Sequence, residues 1–165
     1  MERIDADLKQ YEERTRSGVC FICELVRHNP HYAHDVVFED DDVIAFMDKY
    51  PTLLGKVLVG PKRHIEHVVG DLSEVEFQRL MTVVYRVASA VQMAVPTERM
   101  YLLSLGSQQG NCHLHWHIAP LPPGVPYDQQ QFHALMMENG IPHTTAEELA
   151  DVARRIAERL RVNQG

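Results

Sequence analysis

Between Leu72 and Val91 the apolar residues Leu72, Val75, Phe77, Leu80, Met81, Val84, Val87, Ala88 and Val91 recur at helical spacing. The run predicts one long amphipathic helix, whose apolar stripe has to be buried against another layer. Ser73 with Glu76 three residues on has the pattern of a capping box at its start, and Pro96 closes it. On either side the period changes to that of strands. Residues 36–39 and 43–47 flank the acidic turn Asp40-Asp41-Asp42 as a hairpin, and residues 56–59 form a third strand that ends at Gly60-Pro61. Residues 100–105 and 112–119 are two more, separated by the turn SLGSQQGN. Strands, one helix, strands and then helices read as an α+β fold: an antiparallel sheet of about five strands, one long packed helix and a C-terminal helical tail.

The flanks are simpler. Residues 2–16 read as a short charged helix with Ile4, Leu8 and Tyr11 on one side, residues 20–26 as a compact apolar turn or helix, and HNPHYAHD as a polar, solvated loop. After Pro120 come the rigid LPPGVP segment, a helix over roughly 128–138, and a last helix after Thr144 or Thr145, where Thr145 and Glu148 make a second candidate capping box. No repeat or low-complexity linker intervenes. The expected organisation is an N-terminal helical extension (1–19), a central domain (20–121) and a tail (122–165) packed on that same domain.

At 165 residues, 45% of them hydrophobic, the chain can bury a proper core. Its formal net charge of −7 argues against a nucleic acid polymer as partner, because phosphate backbones call for clustered Lys and Arg. A small phosphorylated ligand, held by backbone N–H groups and a few histidines, stays open. No apolar stretch is long enough to cross a bilayer, and the polar, acidic N-terminus is no secretory signal, so a cytoplasmic address is expected. In a reducing compartment Cys20-Phe21-Ile22-Cys23 is a metal clip or a redox pair before it is a disulfide.

The hexapeptide His113-Leu114-His115-Trp116-His117-Ile118 carries the chemistry. In a strand, alternate side chains share a face, so the three imidazoles form a row with about 6–7 Å between neighbours, while Leu114, Trp116 and Ile118 anchor the other face in the core. Such a row suits metal ligation by neutral imidazoles or nucleophilic and acid–base catalysis. The preceding Gly106-Ser107-Gln108-Gln109-Gly110-Asn111 lets the backbone approach an anion closely, which favours phosphate.

The run HLHWHIAP resembles the signature of the histidine-triad (HIT) superfamily. Upstream, VIAFMDKYPTLLGKVLVGPKRHIEHV resembles the same family's segment, in which a strand ends in an acidic residue and Pro-Lys-x-His-Ile follows; CFIC resembles the bacterial branch that carries structural zinc. The likeness spans about residues 20–120. It implies a small α+β fold, usually a homodimer, that hydrolyses or transfers at the α-phosphorus of a nucleotide. By position it implies His115 as the nucleophile, His117 as the ring that fixes its tautomer, and His113 as the third member. Asp48 would bind the ribose hydroxyls, and Gly110 and Asn111 would meet the phosphate. The usual Gly-Gln-Ser/Thr-Val ahead of the first histidine is here Gln-Gly-Asn-Cys. A structural zinc on Cys20, Cys23, His64 and His113 completes the implied set, with no metal needed at the phosphate.

Other residues are assigned from their own surroundings. Phe21 or Ile22, with Phe46, suits an apolar wall for the base. Trp116 and Cys112 belong to the core, His67 to the surface, and His28, His31 and His34 to a solvated loop. Two other functions compete: a nucleotide-binding regulatory module with little turnover, and a zinc-dependent metallohydrolase using the histidine row.

Overall fold

The structure, a computed structural model, describes residues 2–162; residues 163–165 of the expected tail lie outside the described residues. In chain order the elements are β1 (Arg3–Ile4), α1 (Leu8–Thr15), α2 (Phe21–Val26), β2 (Val36–Glu39), β3 (Val43–Met47), β4 (Val57–Pro61) and a kinked single turn α3 (Val68–Asp71). Then follow α4 (Glu74–Ala94), β5 (Arg99–Leu103), β6 (Trp116–Leu121), α5 (Phe132–Leu135), β7 (Ile141–Pro142) and α6 (Ala146–Val162). Five strands make one antiparallel sheet in the order β2-β3-β4-β6-β5. The α+β class and the five-stranded sheet with one long helix are as the sequence predicts.

Helix α4 starts where its capping box places it. Ser73 N–H donates to Glu76 Oε2 at 2.8 Å, and Glu76 N–H donates to Ser73 Oγ at 3.2 Å, satisfying two donors that the first turn leaves free. Its buried stripe runs from Leu80 to Ala94. Val75 stands outside it, 75% exposed, because the first turn of α4 precedes the point where the helix meets the sheet.

The pleat sorts the sheet into two cores. Val43, Ala45, Met47, Val57, Val59 and Ile118 pack with α4 and with Val152, Ile156 and Leu160 of α6. Ile44, Phe46 and Leu58 point the other way, onto Ile22 and Leu25 of α2. Because both faces are covered, β3 and β4 are buried at every position, unlike a half-solvated antiparallel sheet. Cross-strand partners share a face, and the register pairs Phe46 with Leu58 and Leu58 with His117. His117 therefore belongs to the α2 face, and Trp116 and Ile118 to the helix face, as strand alternation predicts.

Three sequence expectations are corrected. Residues 2–16 are not one helix: Arg3 and Ile4 pair with Pro142 and Ile141, and α1 begins only after Asp7, whose carboxylate accepts from Gln10 N–H at 2.9 Å. The Arg3 guanidinium holds this strand down by donating to the carbonyls of Asn139, Thr52 and Gly140. Residues 128–138 are not a helix either; the left-handed backbone at Gln131 and the tight turn closing at Gly140 split them into short turns around α5. Most consequential, the last central strand begins at Trp116, not at residue 112. Its neighbour β4 ends in Pro61, which has no N–H to continue the ladder, so the chain ahead of Trp116 leaves the sheet.

Helix α6 contributes Val152, Ala153, Ile156 and Leu160 to this core, and Ile156 is fully buried. Ile156→Ala is expected to lower unfolding stability by about 2–5 kcal/mol, read from the urea midpoint. A tail that merely lies on the surface would leave the midpoint unmoved.

Candidate functional site

Where the chain leaves the sheet it wraps round the end of β4. Leu114 N–H donates to Ile65 O at 2.7 Å, and the segment crosses Gly60 so closely that a Cβ there would stand 2.8 Å from Leu114 O. This crossing buries His113 and His115, which are only 2% and 3% exposed. The three histidines are consequently not an even row. His115 and His117 stay together, ring centroids 4.8 Å apart, while His113 turns to the cysteines and stacks edge-on at 4.8 Å with His64.

Hydrogen bonds decide the tautomers, because a carbonyl oxygen only accepts. His115 Nδ1–H donates to His113 O at 2.6 Å, which leaves Nε2 as a bare lone pair. The sequence assigned this duty to the ring of His117; the main chain of His113 performs it instead, being two residues away across the bend. Ser104 Oγ–H donates to His115 O at 2.7 Å and pins the same residue from β5's end. His117 Nδ1 is buried with no partner among the described residues. A buried N–H without an acceptor costs more than a bare acceptor, so the neutral ring carries its proton on Nε2. Burial holds His115 below the ordinary histidine range, against the pull of the His113 carbonyl. Burial, and then the charge of Lys56, push His117 down to about 3. Both rings are neutral at pH 7.

Asp48 stands at the end of β3, as predicted, but it is already engaged. Oδ2 lies 3.0 Å from Lys56 Nζ, and Oδ1 accepts from Tyr50 N–H at 3.0 Å. Burial raises its pKa, yet Lys56 and the turn N–H outweigh that and hold the carboxyl below its usual range. Lys56, 8% exposed, was passed over in the sequence. The available signal was a lone charge between Gly55 and the apolar run of β4.

Beside this pair lies an aromatic wall, but not quite the expected one. Ile22 and Phe46 are both fully buried and form the layer beneath it. The rings that face outward are Phe21, 6.3 Å from the His115 ring, and His34, 5.1 Å from Phe46 and 5.9 Å from Phe21. His34 is thus no solvated loop residue, whereas His28, His31 and His67 are exposed as expected.

The cysteine pair meets the two histidines named for it. Cys20 Sγ is 3.3 Å from His113 Nδ1, and Cys23 Sγ is 3.3 Å from His64 Nδ1 and 3.6 Å from His113 Nδ1. All four ligand atoms lie within 4.8 Å of one another. A tetrahedral zinc with ordinary Zn–S and Zn–N bonds separates sulfur from nitrogen by about 3.6 Å, so the cluster fits this ion. The outer nitrogens are arranged to match. His113 Nε2–H donates to Pro61 O at 2.8 Å and His64 Nε2–H to Glu66 at 3.2 Å, which turns both Nδ1 lone pairs inward.

Two expected residues are committed elsewhere. Gly110 N–H donates to Ser107 O at 3.0 Å, with its Cα against Thr15 of α1, and Asn111 Nδ2 donates to Tyr11 Oη at 3.1 Å. Helix α1 therefore covers the loop that was to cradle phosphate. Cys112 is not a core thiol but a half-buried one beside Glu66; burial and that carboxylate push its pKa up. A cleft of about 610 Å³ opens here between Glu66, Leu105, Gln108, Cys112, His115 and Trp116. Among the described residues no helix is long and apolar enough to cross a membrane.

Comparison with known proteins agrees with this geometry. The family described as the HIT domain matches residues 29–123, more than half of the chain. A HIT-like protein of Saccharolobus solfataricus is 32% identical over 105 residues, which span 62% of this chain and 73% of that protein. The structure of a hypothetical histidine triad nucleotide-binding protein from Sulfolobus tokodaii superposes with a TM-score of 0.70 at 27% identity, covering 88% of this chain and 94% of that one. A Hit-like protein involved in cell-cycle regulation from Bartonella henselae superposes at 0.64 with 30% identity, covering 82% and 92%. The buried histidines, the sheet that carries them and these likenesses agree: the chain belongs to the histidine-triad family.

Proposed function

We propose that this protein is a nucleotide hydrolase or nucleotidyltransferase acting at the α-phosphorus of a nucleoside phosphoramidate or dinucleoside polyphosphate. One observation carries the reading: His115 is neutral, its proton is tied to the His113 carbonyl, and its Nε2 lone pair is free beside a second neutral imidazole. Nε2 attacks phosphorus, the Nε2–P bond forms, and the bond to the leaving group breaks with its electrons. As His115 becomes cationic, the carbonyl on its Nδ1–H stabilises the charge. His117 Nε2–H donates a hydrogen bond to a phosphoryl oxygen and keeps its proton, while a solvent water protonates an amine leaving group. Water then attacks the nucleotidyl-histidine, the P–N bond breaks with its electrons returning to His115 Nε2, and the water's proton passes to solvent.

Asp48 accepts from the ribose hydroxyls in this scheme, with Lys56 keeping it ionised, and Phe21 with His34 over Ile22 and Phe46 forms the base wall. Zinc on Cys20, Cys23, His64 and His113 is structural; four protein ligands complete a tetrahedron and leave no open position for a metallohydrolase. The reading extends to a homodimer working in the cytoplasm. It is supported by β5, an open sheet edge with Leu102 44% exposed, and by cysteines that serve as ligands only when reduced.

His115→Ala is expected to lower turnover of adenosine 5′-phosphoramidate and diadenosine polyphosphates by roughly three orders of magnitude or more. A residual rate within tenfold of the parent would rule out the histidine nucleophile and favour a binding module. Asp48→Asn should raise KM about tenfold for ribonucleotides and leave 2′,3′-dideoxy substrates little changed. Since its folded pKa is depressed, the Asp48 contribution to stability is present above about pH 3.9 and fades as pH falls through the folded value. The urea-midpoint gap between parent and Asp48→Asn should therefore close below about pH 4.

Metal content should be one zinc per chain, and Cys20→Ser should abolish it. Stripping zinc should lower the thermal midpoint by at least about 5 °C, since each kcal/mol moves a domain of this size by roughly 2–4 °C. Activity that vanishes on chelation while the midpoint stays put would instead mean that the metal does chemistry.

A further inference from the structure

We propose that His34 reads the base of the bound nucleotide, with its Nε2 accepting a hydrogen bond from an exocyclic amine, so that the site favours amino-bearing nucleobases. The inference rests on the nucleotide reading above and goes beyond it by naming a specificity residue and the chemical group it selects.

The position of the ring comes first. His34 precedes β2 and lies over the aromatic wall, edge-to-face with Phe46 at 5.1 Å and tilted against Phe21 at 5.9 Å. Phe21 in turn contacts His115 at 6.3 Å, so one aromatic ring separates His34 from the proposed nucleophile. The charges of Lys49, Asp48 and Arg14 all act on it. A nucleotide with phosphorus at His115 and ribose at Asp48 has only its base left to meet this ring.

The polarity of the ring follows from one hydrogen bond. Nδ1 lies 2.7 Å from the carbonyl of Tyr32, two residues back in the same loop. That oxygen can only accept, so Nδ1 carries the proton and Nε2 of the neutral ring carries a lone pair. Burial keeps the ring neutral by lowering its pKa. With Nδ1 turned to its own backbone, Nε2 is the polar atom directed away from it, and it has no partner among the described residues. A fixed acceptor in a half-buried aromatic setting selects a donor, and the exocyclic amine of adenine, guanine or cytosine is that donor.

The test uses the zinc-loaded full chain and two ligands that differ by one group: adenosine 5′-monophosphate, and purine riboside 5′-monophosphate, which lacks the amine. Calorimetric Kd values should favour the adenosine compound by about three- to tenfold in the parent. His34→Phe keeps an aromatic ring without the acceptor, and should bring the ratio to one. A second measurement stands independent of that variant folding: the ¹⁵N shift of His34 Nε2 should move on adding the adenosine compound and not the purine riboside compound. Equal affinities in the parent, or a preference that survives His34→Phe, would overturn the role of His34 while leaving the nucleotide site standing. If neither nucleotide binds, both the role of His34 and the nucleotide site are overturned.

Discussion

His113 is the residue through which the rest of the site is held. Its Nδ1 faces the two thiols, its Nε2–H is bonded to Pro61 at the end of β4, and its carbonyl accepts from Nδ1 of His115. Three demands meet on one side chain and one peptide group: closure of the Cys–His cluster, attachment of the wrapping segment to the sheet, and the tautomer of the neighbouring imidazole. Each is weak to moderate in isolation, but together they hold the ring in a single orientation. Turning it would take the buried Nε2–H of His113 away from the Pro61 carbonyl and leave that donor unpaired, a cost of about 1–3 kcal/mol before any chemistry is considered.

The division of the sheet into two cores explains why this arrangement sits where it does. α4 and α6 fill one face with aliphatic side chains. The opposite face is covered only in part, by α2, whose own helix is nucleated at Cys20, where Sγ accepts from Cys23 N–H. Residues 20–26 thus provide both thiols of the Cys–His cluster, Ile22 and Leu25 for the core, and Phe21 for the wall next to His115. A site built on the less covered face inherits rigid strands beneath it and open space above it. The buried Lys56–Asp48 pair adds an electrostatic boundary: the cation keeps the carboxylate ionised and adds to burial in holding His117 neutral.

Much of this was legible beforehand because short-range rules govern it. The capping box at Ser73, the helical stripe and the acidic hairpin turn each depend on residues within a few positions of one another, and they appear where expected. The ligand set of Cys20, Cys23, His64 and His113 was legible only through resemblance, since spacing indicates a clip but not which distant histidines complete it. The even histidine row was misjudged for a definite reason. Alternation holds only while a strand has a partner, and Pro61 ends that partnership before residue 115 is reached. Gly110 and Asn111 were likewise expected to face phosphate, and nothing in their own sequence announces that α1, a hundred residues earlier, lies against them.

The amino-acid sequence by itself determined the elements, the faces of the central strands and the identity of the imidazoles, because periodicity, capping and turn chemistry are local and cooperative over a few residues. Only the tertiary structure decided which nitrogen of each ring holds a proton, that Lys56 guards Asp48, and that His34 lies on Phe46 and not in water. Those outcomes depend on contacts between segments far apart in the chain. Their energies come from burial and from hydrogen-bond partners that no window of neighbouring residues contains.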